Sequence, residues 1–439
     1  MSNTADRPRY QVLSEEKKET IYLAALEVLR RTGLKVVEET AHEILARAGC
    51  WVDGSRVRIP SYLVDWAIRA APCRVTVCDR NGEPAMYLED GRSYFGTGGD
   101  CPTVIDPYTG ERRRGMLKDV VNFTRVTDAL PNIDFVANMA IAEDVPESIS
   151  DIYHFHAMVS NTVKPLIYSA WDLDNLRAIV EMCQLVAGGA KEFERSPFAV
   201  LFGGEVSPLQ ITQEFTPKAL YAAEKGLPIV CAPSAIAGGT APVTLAGAMT
   251  QAQAEMLAML VLCQLKREGC PFILSTCGPI PMDMSAMAAS YASPEFALFM
   301  GSMAEMARYY GLPVFSFAGC SDSKCFDEQA SAEGSLTMLI SALSGGNLIH
   351  DVGYIESGLT SSFEMLVTMD EMAAYVRRVL GGIEVGRDTL AVDVIDRVGP
   401  GGHYLSDEHT LARFRRNWLP RLLDRRAHEA WQYDGSKTL

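Results

Sequence analysis

Short apolar runs alternate with helical patterns along the chain from residue 133 onward. Seven of these runs have the length and continuity of buried parallel strands, which have no polar face. They lie at 135–140, 165–170, 199–202, 228–232, 271–275, 314–318 and 348–352. An eighth and weaker candidate lies near 383–385. Apolar residues at helical spacing fill the intervals, so the pattern predicts strands and helices in alternation.

Alternation repeated about eight times is typical of a (β/α)₈ barrel of the TIM type. An open doubly wound sheet is the competing α/β architecture. It usually has fewer units and a phosphate-binding loop after its first strand, and neither sign occurs here. The sequence therefore predicts an α/β protein built on a TIM-type barrel.

The chain on either side of this alternating region follows other patterns. Helical spacing covers 14–48, and two alternating runs at 73–78 and 85–88 flank an Arg-Asn-Gly turn. We therefore predict an N-terminal α+β extension over 1–130, packed on a catalytic barrel over 131–396. Residues 397–439 are predicted to form a C-terminal helical tail, with an amphipathic, basic helix pair at 407–426.

Composition narrows the class of protein. Hydrophobic residues make up 48% of the 439 residues, and the net charge of -15 argues against binding to nucleic acid or to an anionic membrane. The 11 cysteines show no metal-binding or disulfide spacing, which favours reduced thiols. Polar residues interrupt the most apolar stretch, 241–265, which is predicted to be a buried core helix. The N-terminus lacks the apolar segment of a signal peptide, so we expect a cytoplasmic protein.

Aromatic residues recur where the predicted strands end, the edge at which parallel α/β folds place their chemistry. Phe202 ends a predicted strand, Trp171 and Tyr354 follow predicted strands, and Tyr94 and Phe95 precede a glycine-rich loop. The charged residues at these ends are mostly acidic. An aromatic and acidic pocket suits a quaternary ammonium ion, which has no N–H to donate and is held by cation–π attraction. Ordinary core packing of these aromatics is the alternative.

Three further residues near the strand ends carry groups capable of chemistry. His350 fits either a buried structural histidine or a site residue. Cys320 fits either a structural thiol or a nucleophile activated by Lys324 and a helix N-terminus. Glu205 follows two glycines, where a carboxylate either binds a ligand or caps a helix. A zinc site using these residues and Cys277 is conceivable, but no spacing supports it, so no resident metal is predicted.

Six short motifs occur in order along the second half of the chain. They are Ala-Pro-Val-Thr-Leu-Ala-Gly at 241–247, Ser-Pro-Glu at 293–295, Ala-Arg-Tyr-Tyr-Gly-Leu-Pro at 307–313, Ser-Asp-Ser-Lys at 321–324, Asp-x-Gln-Ala at 327–330 and Val-Gly-Pro-Gly-Gly-His at 398–403. Together they resemble the trimethylamine methyltransferase superfamily, and the resemblance runs over nearly the whole chain. Archaeal trimethylamine enzymes of this family carry pyrrolysine in the barrel. Ordinary Cys320 and Ser321 stand beside the Ser-Asp-Ser-Lys motif here, so the chain is similar to the non-pyrrolysine branch.

Known members of that branch demethylate quaternary amines such as glycine betaine, proline betaine or carnitine. The family passes the methyl group to the Co(I) of a separate corrinoid protein. The resemblance therefore implies a methyltransferase for a quaternary amine, glycine betaine first, with no tightly bound cofactor and a corrinoid (cobalamin) on a partner protein as methyl acceptor. A quaternary ammonium leaves as a neutral tertiary amine, so alignment and exclusion of water suffice for catalysis.

Position at the strand ends suggests which residues form the pocket. We expect His350 and Glu205 to be catalytic, with His350 bonded to the substrate carboxylate. The expected substrate-binding residues are Tyr94, Phe95, Trp171, Phe202, Tyr354 and Cys320. We also expect a homo-oligomer. A Cys- or zinc-dependent barrel enzyme and a non-catalytic betaine-binding barrel are the two alternatives.

Overall fold

The structure is a computed structural model that describes residues 7–437. It contains two compact units. One spans Arg9–Asp370, and the other comprises the described parts of Met1–Pro8 and Glu371–Leu439. The first unit contains the barrel and the candidate site.

The N-terminal part of the first unit forms short helices and short strands. In chain order they are α1 (Glu15–Glu27), a π-helical turn (Val28–Thr32), β1 (Leu34–Val36), α2 (Glu39–Arg47), β2 (Trp51–Asp53), β3 (Arg56–Arg58), α3 (Ser61–Ala70), β4 (Val75–Cys78), β5 (Pro84–Leu88), β6 (Tyr94–Phe95), β7 (Thr103–Ile105) and β8 (Arg112–Arg114). The side chain of Ser14 accepts a hydrogen bond from the Lys17 amide and caps α1. The two predicted runs form the hairpin β4–β5.

Strands and helices then alternate up to residue 380. The elements are α4 (Leu117–Ala129), α5 (Ser150–Asn161), β9 (Leu166–Tyr168), α6 (Leu173–Ala187), α7 (Ala190–Arg195), β10 (Ala199–Gly203), β11 (Gln210–Ile211), α8 (Thr216–Lys225), β12 (Ile229–Cys231), β13 (Ile236–Ala237), α9 (Leu245–Lys266), β14 (Phe272–Ser275), β15 (Ile280–Asp283), β16 (Ala288–Ala289), α10 (Pro294–Tyr310), β17 (Val314–Phe317), α11 (Glu328–Ser344), β18 (Leu348–His350), β19 (Tyr354–Ile355), β20 (Thr360–Ser361) and α12 (Phe363–Leu380). Side-chain N-caps such as Ser293 and Asp327, and left-handed glycines such as Gly311 and Gly345, set the helix ends.

Seven parallel strands form the barrel sheet in the order β6-β18-β17-β14-β12-β10-β9. Residues Phe135 and Val136 close it, because Gly96 bridges to Phe135 and Val136 bridges to Leu166 in β9. Eight strand positions therefore close on themselves, and a helix follows each one. The predicted TIM-type barrel is confirmed.

The eighth strand position differs from the prediction. Residues 383–385 form no strand, and the position is taken by β6, Tyr94–Phe95, which pairs in parallel with β18. A two-residue strand makes no apolar run that periodicity could detect. The division at residue 130 stays a prediction, and β6 belongs to the barrel although it precedes that boundary.

The β4–β5 hairpin fills the N-terminal end of the barrel. Val75, Val77, Met86 and Leu88 join one buried cluster with the inward residues of the barrel strands. The amide of Cys78 donates to the carbonyl of Pro197, just ahead of β10. Apolar packing therefore closes this end of the barrel, and the opposite end, where the strands terminate, is left for a site.

One helix within residues 7–437, α9, is long and apolar enough to cross a membrane by length and composition alone. Its most apolar window is 72% buried inside the protein. The helix packs against α1, α3 and α8. The prediction of a buried core helix in this stretch is confirmed.

The second unit contains short helical segments. They are α13 (Arg387–Leu390), α14 (Val392–Val398), α15 (Glu408–Arg413), a 3₁₀ turn (Phe414–Arg416) and α16 (His428–Tyr433). The predicted helix pair at 407–426 is wrong in extent, because only α15 and the 3₁₀ turn form there. The chain becomes extended at Asn417, and Pro420 disfavours helical backbone at the residue before it. The Trp418 ring packs edge-on against Tyr375 at 5.4 Å within this unit.

The barrel closure predicts a destabilising effect of a single methyl group. A Cβ placed on Gly96 would lie 2.1 Å from a ring carbon of Phe135, which is fully buried. We expect Gly96→Ala to lower the free energy of unfolding by about 1–3 kcal/mol through overpacking. Chemical denaturation measures this loss. Gly386→Ala is the matched control, since its Cβ would meet no atom closer than 3.8 Å, and equal stability of the two variants would contradict the closure.

Candidate active site

A cavity of about 230 Å³ lies at the C-terminal ends of the barrel strands. Four barrel strands contribute directly to its wall. Ser169 follows β9, Phe202 lies near the end of β10, Phe317 ends β17 and His350 ends β18. The loop after β6 completes the wall with Thr97, Gly98, Gly99 and Asp100. The strand topology therefore brings these residues together at the edge that the sequence predicts.

Aromatic rings form most of one side of the cavity. The His350 ring stacks on Phe315 with 3.9 Å between ring centroids and an interplanar angle of 17°. Phe317 lies 4.5 Å from His350, and Phe202 lies 5.3 Å from Phe315. Tyr291 meets Phe317 edge to face at 5.3 Å. The negative ring faces of such a group attract a cation without requiring a hydrogen bond.

Both nitrogens of His350 have protein partners. Nδ1 lies 2.5 Å from Oδ1 of Asp351, and Nε2 lies 3.3 Å from Sγ of Cys277. Burial raises the pKa of the Cys277 thiol well above its usual range, so this thiol stays protonated. Nδ1 donates to Asp351, because a carboxylate oxygen accepts. The predicted bond from His350 to a substrate carboxylate therefore finds both nitrogens already engaged.

Two carboxylates line the cavity, and both adopt left-handed backbone conformations. The φ angle is 72° at Asp100 and 70° at Asp351. Asp100 accepts hydrogen bonds from Asn138 at 3.0 Å and from Ser169 at 2.8 Å. Aspartate tolerates the left-handed conformation better than most residues do. Backbone strain from a positive φ at a non-glycine residue is nevertheless found most often at functional sites.

Close contacts require the glycines of the loop after β6. A Cβ on Gly98 would lie 2.3 Å from Oδ1 of Asp351 and 2.4 Å from the ring of Tyr354. The Tyr354 hydroxyl donates to the carbonyl of Gly99. The loop thus touches the residues that follow β18, and glycine at 98 allows this approach.

Three of the predicted site residues line the cavity. They are Phe202, His350 and Tyr354. Tyr354 is 3% exposed, and burial raises the pKa of its hydroxyl well above the usual range, so it stays neutral. The roles predicted for these residues stay predictions.

The other aromatic candidates lie elsewhere. Trp171 is 65% exposed, and its amide donates to Asp151 where the chain turns into α6. Tyr94 packs against the buried cluster at the N-terminal end of the barrel. Its hydroxyl accepts a hydrogen bond from the amide of Tyr87 in the β4–β5 hairpin. Phe95 is fully buried and points away from Tyr94, because successive strand residues face opposite sides. The prediction that these three line the pocket is corrected.

Glu205 also lies outside the cavity lining. One carboxylate oxygen accepts from the amide and hydroxyl of Thr212 at 2.8 and 3.0 Å, and the other accepts from Thr216 at 2.5 Å. The carboxylate therefore joins the loop after β10 to the start of α8. Burial raises its pKa to about 7, against the opposing effect of these hydrogen bonds. Its geometry is that of a structural carboxyl group.

Cys320 is fully buried beside the backbone of Tyr354 and does not line the cavity. Burial raises the pKa of its thiol well above the usual range, which suppresses the thiolate needed for nucleophilic attack. Lys324 does not activate it, since its ammonium group donates to the carbonyl of Asp322 at 2.7 Å. The environment fits the structural interpretation.

The conceivable zinc set is not assembled. Cys277 contacts His350, but the Glu205 carboxylate is bonded to Thr212 and Thr216. Over residues 7–437 no group of three or more His, Cys, Asp or Glu side chains is placed to hold a metal ion.

Several cavity residues were not selected from the sequence. Phe315 and Phe317 carry a detectable signal, because residues two apart on the predicted strand share one face, here the barrel interior. The sequence shows Asp100 and Asp351 only as acidic residues near strand ends and does not indicate that they line the cavity. Tyr291 lies in a loop after β16, where no periodic pattern marks it.

Comparisons with known proteins show the family of the chain. The family model described as "Trimethylamine methyltransferase (MTTB)" matches residues 2–439. The chain belongs to the trimethylamine methyltransferase (MTTB) family. It is a methyltransferase of that family, which acts with a cognate corrinoid protein as methyl acceptor.

Two relatives are named for different substrates. A trimethylamine methyltransferase MttB of Desulfitobacterium hafniense (strain DSM 10664 / DCB-2) is 35% identical, over 97% of this chain and 86% of the relative. A glycine betaine methyltransferase of D. hafniense (strain Y51) is 30% identical, over 98% of this chain and 90% of the relative. Substrate names thus differ between two MTTB relatives of similar coverage.

A solved structure shares the fold. The monomethylamine methyltransferase MtmB of Methanosarcina barkeri matches with a TM-score of 0.57 and 12% identity, over 89% of this chain and 80% of that one. At this identity the likeness concerns the fold alone.

The raised pKa of Glu205 predicts a pH-dependent stability. The folded protein holds the Glu205 proton up to a pH of about 7, whereas the unfolded chain releases it near its ordinary pKa of 4.5. The stabilising contribution is therefore complete below pH 4.5 and is lost as the pH rises toward 7. We expect Glu205→Gln to become more stable relative to the parent by up to about 3 kcal/mol between pH 5 and pH 8.

Denaturant titrations at several pH values in this range measure the difference. Glu147→Gln is the control, because Glu147 is exposed on the surface. A difference between Glu205→Gln and the parent that does not change with pH would contradict a buried, proton-holding carboxyl group.

Proposed function

We propose that this protein transfers a methyl group from a quaternary ammonium compound to the Co(I) of a corrinoid carried by a partner protein. The C–N bond breaks, its electron pair stays on nitrogen, and a neutral tertiary amine leaves. The cobalt electron pair forms the new bond to the methyl carbon, giving methyl-Co(III). The corrinoid acts as a second substrate, so the chain itself has only to bind and align the amine.

The aromatic and acidic composition of the cavity supports this proposal most directly. A quaternary ammonium ion offers no N–H group, so aromatic faces and carboxylates are the groups that attract it. Phe202, Phe315, Phe317, Tyr291 and His350 supply rings, and Asp351 supplies a nearby charge. Surfaces of this kind also exclude water from the C–N bond.

The chemistry requires no proton donor from the protein. A nitrogen that is already a cation leaves neutral, whereas an unprotonated tertiary amine would leave as an anion unless an acid protonated it. Burial raises the pKa of the cavity tyrosines Tyr168, Tyr291 and Tyr354 and keeps them neutral. Alignment of the N–CH₃ bond then accounts for catalysis, and positioning of this kind is worth about 7–11 kcal/mol in favourable cases.

Glycine betaine is the substrate that the sequence resemblance implies, and the relative at 30% identity bears that name. The 35% relative is named for trimethylamine, which would need a proton on nitrogen before its methyl group could leave. The shared requirement is a cationic methylated nitrogen. The aromatic and acidic lining of the cavity suits the cationic nitrogen of either substrate.

A methyl-transfer assay tests the proposed function. The protein is incubated with a panel of quaternary amines and with Co(I) cobalamin or a cognate corrinoid protein, and methylcobalamin formation is followed by absorbance. We expect transfer from at least one quaternary amine. A panel in which none transfers its methyl group, although a positive control methylates the same corrinoid, would overturn the proposal.

Truncation of one ring tests the aromatic wall. Phe202 lines the cavity, so we expect Phe202→Leu to raise KM for the quaternary amine by roughly 2- to 30-fold, the range of cation–π energies. Steady-state kinetics with the best substrate of the panel measure the change. Phe193→Leu is the control, because Phe193 packs on Phe198 outside the cavity. An unchanged KM in Phe202→Leu, with normal folding, would remove this ring from the binding site.

A further inference from the structure

We infer that the cavity selects a quaternary ammonium ion with a single positive charge and no carboxylate, such as choline or tetramethylammonium, over a zwitterion such as glycine betaine. This inference rests on the proposed function and names its substrate class. It departs from the glycine betaine assignment that the sequence resemblance implies. Three observations support it.

The first observation is the charge of the lining. Asp100 and Asp351 face the cavity, and none of the described residues that line it is Arg or Lys. A carboxylate buried away from water needs a cationic partner or several hydrogen-bond donors. The lining offers no fixed positive charge to a substrate carboxylate.

The second observation is that neither acid has an Arg or Lys partner among the residues that bond it. Asn138 and Ser169 donate to Asp100, and His350 donates to Asp351. Within residues 7–437 neither acid forms an ion pair with Arg or Lys. A substrate cation would therefore meet two carboxyl groups without an Arg or Lys partner, and a substrate carboxylate would meet groups of its own kind at close range.

The third observation concerns the donors that a substrate carboxylate could use. His350 has both nitrogens engaged, and the hydroxyl of Tyr354 donates to Gly99. Thr97 donates to the carbonyl of Ala137 at 3.0 Å. Tyr168 and Tyr291 contribute neutral phenol groups, each of which can donate one hydrogen bond but supplies no positive charge to balance a carboxylate.

Binding measurements test the inference independently of methyl transfer. Isothermal titration calorimetry of the full chain at pH 7.5 compares choline and tetramethylammonium with glycine betaine and carnitine. We expect the monocations to bind at least roughly tenfold tighter, because like charges are opposed in the zwitterion complexes. Equal or tighter binding of glycine betaine would overturn the inference and would point to the backbone amides around Gly98 and Gly99 as carboxylate donors. Binding of no compound would overturn it as well.

A charge-neutralising variant tests the cause of the selectivity. Asp100 is exposed at the cavity edge, and Asp100→Asn keeps its shape while removing one negative charge. We expect the preference for choline over glycine betaine to fall by roughly threefold or more, through weaker choline and stronger betaine binding. Asp174→Asn is the control, since Asp174 pairs with Arg177 on the surface of α6 outside the cavity. An unchanged ratio in Asp100→Asn would overturn the electrostatic cause.

The methyl-transfer panel separates failure of this inference from failure of the proposed function. Methyl transfer with glycine betaine favoured over choline overturns the inference and leaves the function standing. Tighter binding of choline without methyl transfer from any compound supports the inferred specificity and overturns the function.

Discussion

Closure of the barrel through β6 is the constraint on which the candidate site depends. The two residues Tyr94 and Phe95 pair with β18, and Gly96 then meets Phe135 so closely that no side chain fits between them. This contact fixes where the chain goes next. The glycine-rich loop after β6 is directed against Asp351 and Tyr354, and it forms one wall of the cavity. The same short segment therefore closes the fold and completes the site.

The cavity combines a satisfied hydrogen-bond network with uncompensated charge. His350 is fixed between Asp351 and Cys277 and stacks on Phe315, so its ring is held by contacts on both edges and one face. Asp351 is buried, and a buried carboxylate without an Arg or Lys partner costs stability. Such a cost is typical of functional sites, where a ligand supplies the missing charge. The arrangement suits a permanently cationic substrate better than it suits a folding role alone.

Much of the fold was predictable because the barrel strands are buried on both faces. Continuous apolar runs such as those of β12 and β14 are recognisable as buried strands in the sequence. The helices between them show apolar residues at helical spacing. Hydrophobic periodicity does not predict β6, because two residues are too few to form an apolar run. The strand that pairs with β6 also lies more than 250 positions away in the sequence. The C-terminal helix pair was overestimated because amphipathic spacing continues across Pro420, where the backbone cannot remain helical.

The site was less predictable than the fold for a related reason. Position after a strand identifies the correct edge of the barrel, but it does not say which side chains point inward. Phe202 and His350 line the cavity, whereas Glu205 and Trp171 lie beyond the point where the chain turns away from it. Strand alternation would have added Phe315 and Phe317.

The two ends of the barrel differ in a way that bears on the proposed second substrate. The β4–β5 hairpin packs Val77 and Met86 into the barrel interior and closes the N-terminal end with apolar contacts. A corrinoid held by a partner protein must therefore approach from the C-terminal end, where Gly99 and Asp100 are exposed at the cavity edge. In-line transfer then requires the methyl group to face this opening and the remaining substituents to lie against the rings. The closed N-terminal end of the barrel and the opening beside Asp100 together restrict the productive orientation of the ammonium ion.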